Sequence, residues 1–588
     1  MSLRTRFSEK IDLNCPLNEH PRPQFMRENW LCLNGKYEYA VTRNINTFPK
    51  SFDGEIIVPF AIESELSGVG RKLLPDERLW YRRYFTVPEN FKGKRIILHF
   101  DAVDWQCHVY VNRRPATIHK GGYSHFSIDI TELLKDGENE LIVRVYDPSD
   151  TGLQQRGKQR LKSVGIWYTA TSGIWQPVWL EAVEDISIEN IRLTPDFDGG
   201  KIRIESTVKG KAEKDKLRLE LKVFESIDGG EVVFSGDISF DERIEIPNFI
   251  AWSPENPHLY GVELRLFSGG TEKDFVRSYF GMRKFSVGRD DKGLPRLMLN
   301  NKPYFHNGLL DQGYWPESGL TPPSDEAMIC DIKTMKDLGF NMLRKHIKVE
   351  LERWYYHCDR LGVLVWQDMV SGGGRLSTLY AGVLPNLGIK VDDHNYSIFK
   401  REDPQNREEF RRELIEMIDR LYNHTSICLW VPFNEGWGQF EAKEIGEFVK
   451  KYDPTRIVDH ASGWYDMGGP ELISVHRYIL PVTLPKITDR PFVLSEFGGY
   501  SQVIKGHVWD EKKSFGYKMY KTRAGLTAAY KKLYEKQIIP LIEKGLSAAV
   551  YTQVSDVEFE VNGIFTYDRK IIKIEEQTIR ELNERMRL

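Results

Sequence analysis

Little in this chain points to a structural metal, a nucleic acid or a bilayer. Six cysteines, Cys15, Cys32, Cys107, Cys330, Cys358 and Cys428, form no Cys-x-x-Cys pair, and no His/Cys cluster has zinc spacing. A disulfide framework is not expected, although Cys15 and Cys32 could pair. Cys107 and Cys428 lie among apolar neighbours and read as small core residues. No apolar run reaches the ~18 residues of a membrane helix. Basic residues number 82 against 85 acidic, a net charge of -3, and they gather in no long block. The densest basic stretch, Lys512 to Lys521, is broken by Phe515, Gly516, Tyr517 and Tyr520; it reads as a solvated surface, so nucleic acid is not an expected partner. Gly372-Gly373-Gly374 is not followed by Gly-Lys-Ser/Thr, which makes it a mobile loop rather than a phosphate cradle. The start, MSLRTRFSEK, has no signal-peptide core. Met1-Ser2-Leu3 fits a cloning remnant, so location, periplasmic or cytoplasmic, stays open. Short repeats and low-complexity tracts are also missing.

What is present is a long chain, 588 residues, with more surface than one domain buries. Aromatics make up 12%, with 14 Trp and 27 Tyr, which suits saccharide stacking and β-sandwich cores alike. Residues 1–183 carry period-two segments such as QCHVYVN (106–112) and ELIVRVYD (140–147), separated by turn pairs such as Asn34-Gly35 and Asp136-Gly137. This pattern predicts a β-sandwich or a β jelly roll, with a long polar loop over 148–172. Residues 184–286 alternate again and predict an immunoglobulin-like β-sandwich. From 287 to 588, eight strand-like runs interleave with helix-period runs, the size and order of a (β/α)8 TIM barrel. A helix is expected to start at Ser324, a capping residue followed by early acids.

Two stretches of the third region share one form. ICLWVPFNEGWGQF (427–440) is an apolar strand that ends in Asn434-Glu435 before Gly436 and Gly438. PFVLSEFGGY (491–500) is an apolar strand that carries Glu496 to the doublet Gly498-Gly499. A carboxylate at the end of an apolar strand is costly unless it is paired, for instance to Arg, or working. Two of them at strand ends of one barrel suit glycoside hydrolysis, which needs a proton for the leaving oxygen and a stabiliser for the developing cation.

Motifs along nearly the whole chain resemble glycoside hydrolase family 2. RENWLCLNGKYEYA, LWYRRYFTVP, VDWQCHVYVN and GIWQPVWLE are similar to its sugar-binding jelly roll, and WSPENPHLY to its sandwich domain. GFNMLRKHI, NHTSICLWVPFNEG and LSEFGG are similar to its barrel motifs. The resemblance implies a retaining exo-β-glycosidase, with Glu435 as acid/base and Glu496 as nucleophile. It implies Asn434 as the contact of the sugar 2-hydroxyl and Arg344 as the cation beside the nucleophile. His476 and Tyr478 match a strand-six His-x-Tyr pair. Weaker candidates are left two-sided: Asp311 as a sugar contact or a loop cap, and Asp368 as a sugar contact or a structural ion pair. Trp464 and Trp437 are stacking platforms or core, and His346 is a pocket residue or a satisfied core histidine. The segment 369–404 is expected to rim the pocket and set specificity.

Three departures qualify the match. Arg344-Lys345-His346 replaces the usual Arg-x-x-His. Strand eight reads YTQVSDVEFE, with Tyr551 and Gln553 where Trp is common, and no Asn-x-Lys follows Glu496. The last weakens β-glucuronidase, and a β-galactosidase-like activity leads; β-glucuronidase, β-mannosidase and arabinosidase are the alternatives on the same scaffold. Metal ligands of the large galactosidases are not matched, so no obligatory metal or other cofactor is expected. A non-catalytic carbohydrate-binding protein is the competing class. Family members often form oligomers, which leaves room for a homo-oligomer, and the jelly roll need not bind sugar itself.

Overall fold

The computed structural model describes residues 3–43, 47–211, 216–484 and 489–588. Its first unit is a β jelly roll. A sheet of Trp30–Cys32, Val178–Val183, Arg95–Phe100 and Phe126–Asp129 faces a six-stranded sheet centred on Arg78–Thr86 and Glu138–Tyr146. Alternation sends Leu79, Tyr81, Val109, Val111, Val143 and Leu180 into the core between the sheets. Cys107 is buried in the same core. Cys15 and Cys32 are free thiols, so the pairing allowed by the sequence is not made.

The second unit is an immunoglobulin-like sandwich. Ser187–Asp196, Lys201–Lys209 and Asp241–Glu245 form one sheet; Gly229–Ile238, Leu217–Ser226, Tyr260–Ser268 and Thr271–Phe280 form the other. Arg27 ties the two units together. Its guanidinium donates to Glu181 of the jelly roll at 2.7 Å and to both oxygens of Asp274 of the sandwich at 2.9 and 2.8 Å, all three side chains being buried.

The third unit is a barrel of eight strands: β1 (His306–Asp311), β2 (Met342–Lys345), β3 (Leu364–Asp368), β4 (Ile427–Val431), β5 (Ile457–Val458), β6 (Ile473–Arg477), β7 (Phe492–Gly498) and β8 (Leu546–Thr552). Hydrogen bonding runs β5-β4-β3-β2-β1-β8-β7-β6, every pair parallel. Among the described residues no backbone ladder joins β5 to β6. Side chains span that seam: Glu471 accepts from Val458 N at 2.8 Å, and Ser462 Oγ lies 3.2 Å from His476 Nε2. The helix after β1, α1 (Asp325–Asp337), begins where Ser324 accepts from the Ala327 amide. A hairpin of Phe285–Arg289 and Pro295–Leu299 closes the barrel's N-terminal end, where buried Arg296 donates to Leu546 O and Ile542 O, both at 2.7 Å. That end is dry and apolar, with Leu297 and Leu299 packed among Leu310, Met342, Trp366 and Val550. Polar side chains therefore collect at the C-terminal mouth, the working face of such barrels.

The long jelly-roll loop 148–172 docks on that mouth. Arg156 N and Gly157 N donate to Ser371 O at 3.0 and 2.9 Å, and Gly373 N donates back to Leu153 O at 2.8 Å. Gly438 fits the same joint because a Cβ there would lie 2.3 Å from Gly372 O.

Removal of the Arg27 cation strands two buried carboxylates. Arg27→Met is expected to cost about 3–5 kcal/mol, read as a lower denaturant midpoint by circular dichroism. A midpoint equal to the parent's contradicts that role.

Candidate active site

β2 supplies the central cation. Arg344 and His346 are two apart and point the same way, while Lys345 between them pairs with Asp311 at 2.7 Å and Glu350 at 3.1 Å. The Arg344 guanidinium has no exposed surface. It holds Asp368 in a fork, Nε to Oδ1 and Nη2 to Oδ2, both 2.9 Å. Its Nη1 donates to Glu496 Oε1 and to Ser495 O, both 3.1 Å, and Nη2 donates to Asn434 Oδ1 at 2.8 Å.

β7 aims Glu496 by a bulge. Val475 of β6 faces Leu494, but the next residue, His476, faces Glu496, so Ser495 is the extra residue. A bulge re-aims a side chain at the cost of one ladder position. Tyr478 OH donates to Glu496 Oε2 in a short bond and lies 3.0 Å from Thr552 Oγ1. Gly498 must follow, since a Cβ there would meet the Tyr551 ring at 2.2 Å.

Glu435 stands past the end of β4 with a left-handed φ of 51°, and its amide donates to Ser462 O at 2.9 Å. A positive φ at a non-glycine residue is costly and tends to persist where neighbours impose it. Its Oε1 is 2.8 Å from His476 Nδ1, and the same nitrogen is 3.5 Å from Glu496 Oε2. One oxygen of each glutamate and one His476 nitrogen all lie within 4.8 Å of one another. That trio has the spacing to hold a metal, but each member already has a protein partner. Asp392, Asp393 and His394 form a second close cluster, largely exposed.

The two glutamates are buried yet differ in charge preference. Burial raises the Glu435 carboxyl, the Glu496 charge adds to the rise, and His476 opposes it. Burial would also raise Glu496, but His476, His346 and Arg344 outweigh it and hold that carboxyl at about 2. Burial pushes His346 itself well below the usual imidazole range, which weakens its support for the Glu496 charge, whereas Asp368 and Glu496 outweigh burial and raise the Arg344 guanidinium.

Asp368 and His346 sit beneath the glutamates, bonded to each other at 2.9 Å; His346 Nδ1 is 3.8 Å from Glu496 Oε1. Asp311 stands apart. Its Oδ2 takes Lys345 and its Oδ1 accepts from Gly313 N at 2.9 Å, a capped turn with no bond to either glutamate. Trp464 and Trp437 line a cavity of about 1070 Å³ that reaches Glu435, His476 and Tyr478. Trp464 is 6.4 Å from the His476 ring, and Trp437 is 4.9 Å from Trp167.

Sequence inspection missed Trp167 and Tyr517. Trp167 comes from the jelly-roll loop, whose polar, aperiodic sequence carries no site signal. Tyr517 stacks on Tyr478 with centroids 3.9 Å apart and planes 6° off parallel. It lies within the lysine-rich stretch read as solvent-facing; Lys512, Lys513 and Lys518 are exposed, but the ring is turned inward.

Comparison with known proteins agrees with this architecture. Residues 295–587 match the TIM barrel domain of glycosyl hydrolases family 2, residues 72–181 its sugar binding domain, and residues 186–283 a further domain described as glycosyl hydrolases family 2. A β-galactosidase of Thermoanaerobacter pseudethanolicus is 28% identical over 391 residues, 64% of this chain and 47% of that protein. A β-glucuronidase of Bacteroides fragilis is 27% identical over 413 residues, 65% of this chain and 54% of that protein. The chain thus spans about half the length of these curated relatives. A solved β-D-glucuronidase of Dictyoglomus thermophilum superposes with a TM-score of 0.74 at 18% identity, covering 96% of this chain and 98% of that one, a likeness of fold. Three domain matches in the order in which the three folds occur leave one conclusion: the chain belongs to glycosyl hydrolase family 2.

Proposed function

We propose that the protein is a retaining exo-β-glycosidase that removes terminal sugars by double displacement. The observation that carries this reading is a pair of buried carboxyl groups, oxygens within 4.8 Å, with opposite charge preferences. That upper bound falls short of the ~6.5–9.5 Å that admits an inverting water and lies on the side of the ~5–5.5 Å of retaining enzymes.

Glu496, ionised and held by Arg344 and Tyr478, attacks the anomeric carbon. Glu435, whose hold on its proton is strengthened by burial, donates to the leaving oxygen. After the covalent glycosyl intermediate forms, Glu435 is ionised and takes a proton from the water that releases the sugar. Asn434 Nδ2 is buried with no partner among the described residues, while its Oδ1 is fixed by Arg344. This leaves a donor for the sugar 2-hydroxyl, a contact that strengthens in the transition state. His476 stands between the carboxyl groups and steers Glu435. Trp464 and Trp437 offer apolar faces to the saccharide.

A β-galactosyl unit in the inner site is the leading assignment, supported by the β-galactosidases among the relatives and by the missing Asn-x-Lys after Glu496. One observation favours a second reading, β-glucuronidase. Lys158 of the jelly-roll loop, 7% exposed, makes no ion pair among the described residues, and its charge lowers both glutamates. It is a cation that could face a uronate. Hydrolysis rates on para-nitrophenyl galactoside, glucoside, glucuronide, mannoside and arabinoside decide between them.

Glu496→Ala and Glu435→Gln are each expected to lose at least ~10³-fold in kcat on the best aryl glycoside; near-parental turnover by either contradicts its role. Proton NMR of the first-formed product is expected to show the β anomer, and an α anomer rules out double displacement. The profile of kcat/KM against pH is expected to fall on the alkaline side, as Glu435 loses its proton above the usual carboxyl range. The acid limb is expected well below pH 4 because Glu496 stays charged to about 2. An acid limb at the ordinary carboxyl value contradicts the assignment.

A further inference from the structure

Outside the paired glutamates the cavity is strongly basic. Arg160 enters from the jelly-roll loop, Arg375 from the segment after β3, and Arg477 from the end of β6. Glu435 is the one carboxylate among the described residues that line it. None of the three arginines makes an ion pair among the described residues. Arg477 donates to the backbone oxygen of His476 at 3.0 Å, and Arg160 lies over the Trp167 ring at 3.9 Å. Asp150 acts on Arg160 at longer range, and its Oδ1 is taken by the Leu161 amide at 3.2 Å.

Solvated arginines on an open surface need no explanation. Here Arg160 and Arg477 are half-buried, and burial lowers both guanidinium groups, Arg160 to about 10 with help from Arg375. Arg375 is exposed at the rim, but two like charges in a partly desolvated wall with a third beside them cost free energy that a bound anion recovers. Three separate segments supply these charges, so no single surface-exposed element accounts for the cluster. Arginine forks also match the planar or trigonal oxygens of carboxylate and sulfate.

Building on the glycosidase assignment, we propose that the outer, leaving-group side of the cavity takes an anionic saccharide, one bearing a sulfate ester or a uronate carboxylate, held by Arg160, Arg375 and Arg477. Glu435, the proposed donor to the leaving oxygen, lines this basic cavity together with the three arginines, whereas Glu496 does not, so the charged sugar is the one that leaves. Trp167 and Trp437 supply the stacking faces beside it. Selectivity for the chain being trimmed then comes from three segments outside the catalytic cluster.

The test is calorimetric binding to the Glu435→Gln protein, which needs no turnover. The probes are three disaccharides with the same β-linked non-reducing sugar, the one the aryl-glycoside screen selects or galactose if it selects none. The second sugar is neutral, sulfated or a uronate. One anionic probe is expected to bind at least about tenfold more tightly than the neutral one. The tighter of the two anionic probes identifies the charged group. That advantage is expected to shrink when salt rises from about 0.05 to 0.5 M, and to vanish in Arg375→Met/Arg477→Met. The salt series on the protein with all arginines present keeps the test intact if the double variant does not fold. Equal affinity for the neutral and both anionic probes overturns the proposal, as does a preference that survives both salt and the double substitution. A protein that hydrolyses no aryl glycoside defeats the glycosidase assignment and leaves this binding result readable.

Discussion

One buried guanidinium organises the mouth of the barrel. Arg344 has Asp368 on one edge, Glu496 and the Ser495 carbonyl on another, and Asn434 on a third. A lone cation at zero exposure is untenable, and so is a pair of buried carboxylates without one; together they are mutually required. The arrangement leaves Glu496 charged at the one place where its burial would otherwise neutralise it. It also leaves Glu435, with no guanidinium partner among the described residues, raised by its burial. In the proposed function, two like side chains in one cavity thereby take opposite tasks, the separation acid–base work needs.

The barrel alone does not complete the pocket. β4, β6 and β7 bring Glu435, His476 and Glu496 together, and the β7 bulge sets His476 beside Glu496. The outer wall comes partly from another domain. The loop 148–172 is fastened to the barrel by backbone bonds at Ser371 and Gly373, carries Arg160 and Trp167 to the cavity and sets Lys158 over the Trp437 ring. The jelly roll is therefore a component of the site, whatever sugar binding of its own it has.

Much of this was legible in the chain. Of the barrel strands β4 (ICLWV) stands out as continuously apolar, whereas others, such as HNGLLD of β1 and MLRK of β2, mix polar residues in and are legible chiefly by their alternation with helix-period runs. Glu435 and Glu496 stand out because an acid ending such a run is expensive. Arg344, His476 and Tyr478 became readable through family resemblance, since no local rule marks a buried arginine as the partner of a residue 152 positions away. Asp311 looked like a site residue because it too ends a strand, but Lys345, on the reverse side of β2, takes its charge. The basic wall was hidden because Arg160, Arg375 and Arg477 are far apart in sequence and each lies in an ordinary polar context. Tyr517 was hidden by its lysine neighbours. Local pattern reports which face a residue prefers, and it does not report which loops meet.

The claim on which the account rests is the difference in charge between the two glutamates. Carbon-13 NMR titration of glutamate labelled at the side-chain carboxyl, with signals assigned by Glu435→Gln and Glu496→Gln, measures it directly. Glu496 is expected to remain ionised down to the acid limit of folding, while Glu435 takes up its proton above the ordinary carboxyl range. Two signals that move together near the usual glutamate value would contradict the account.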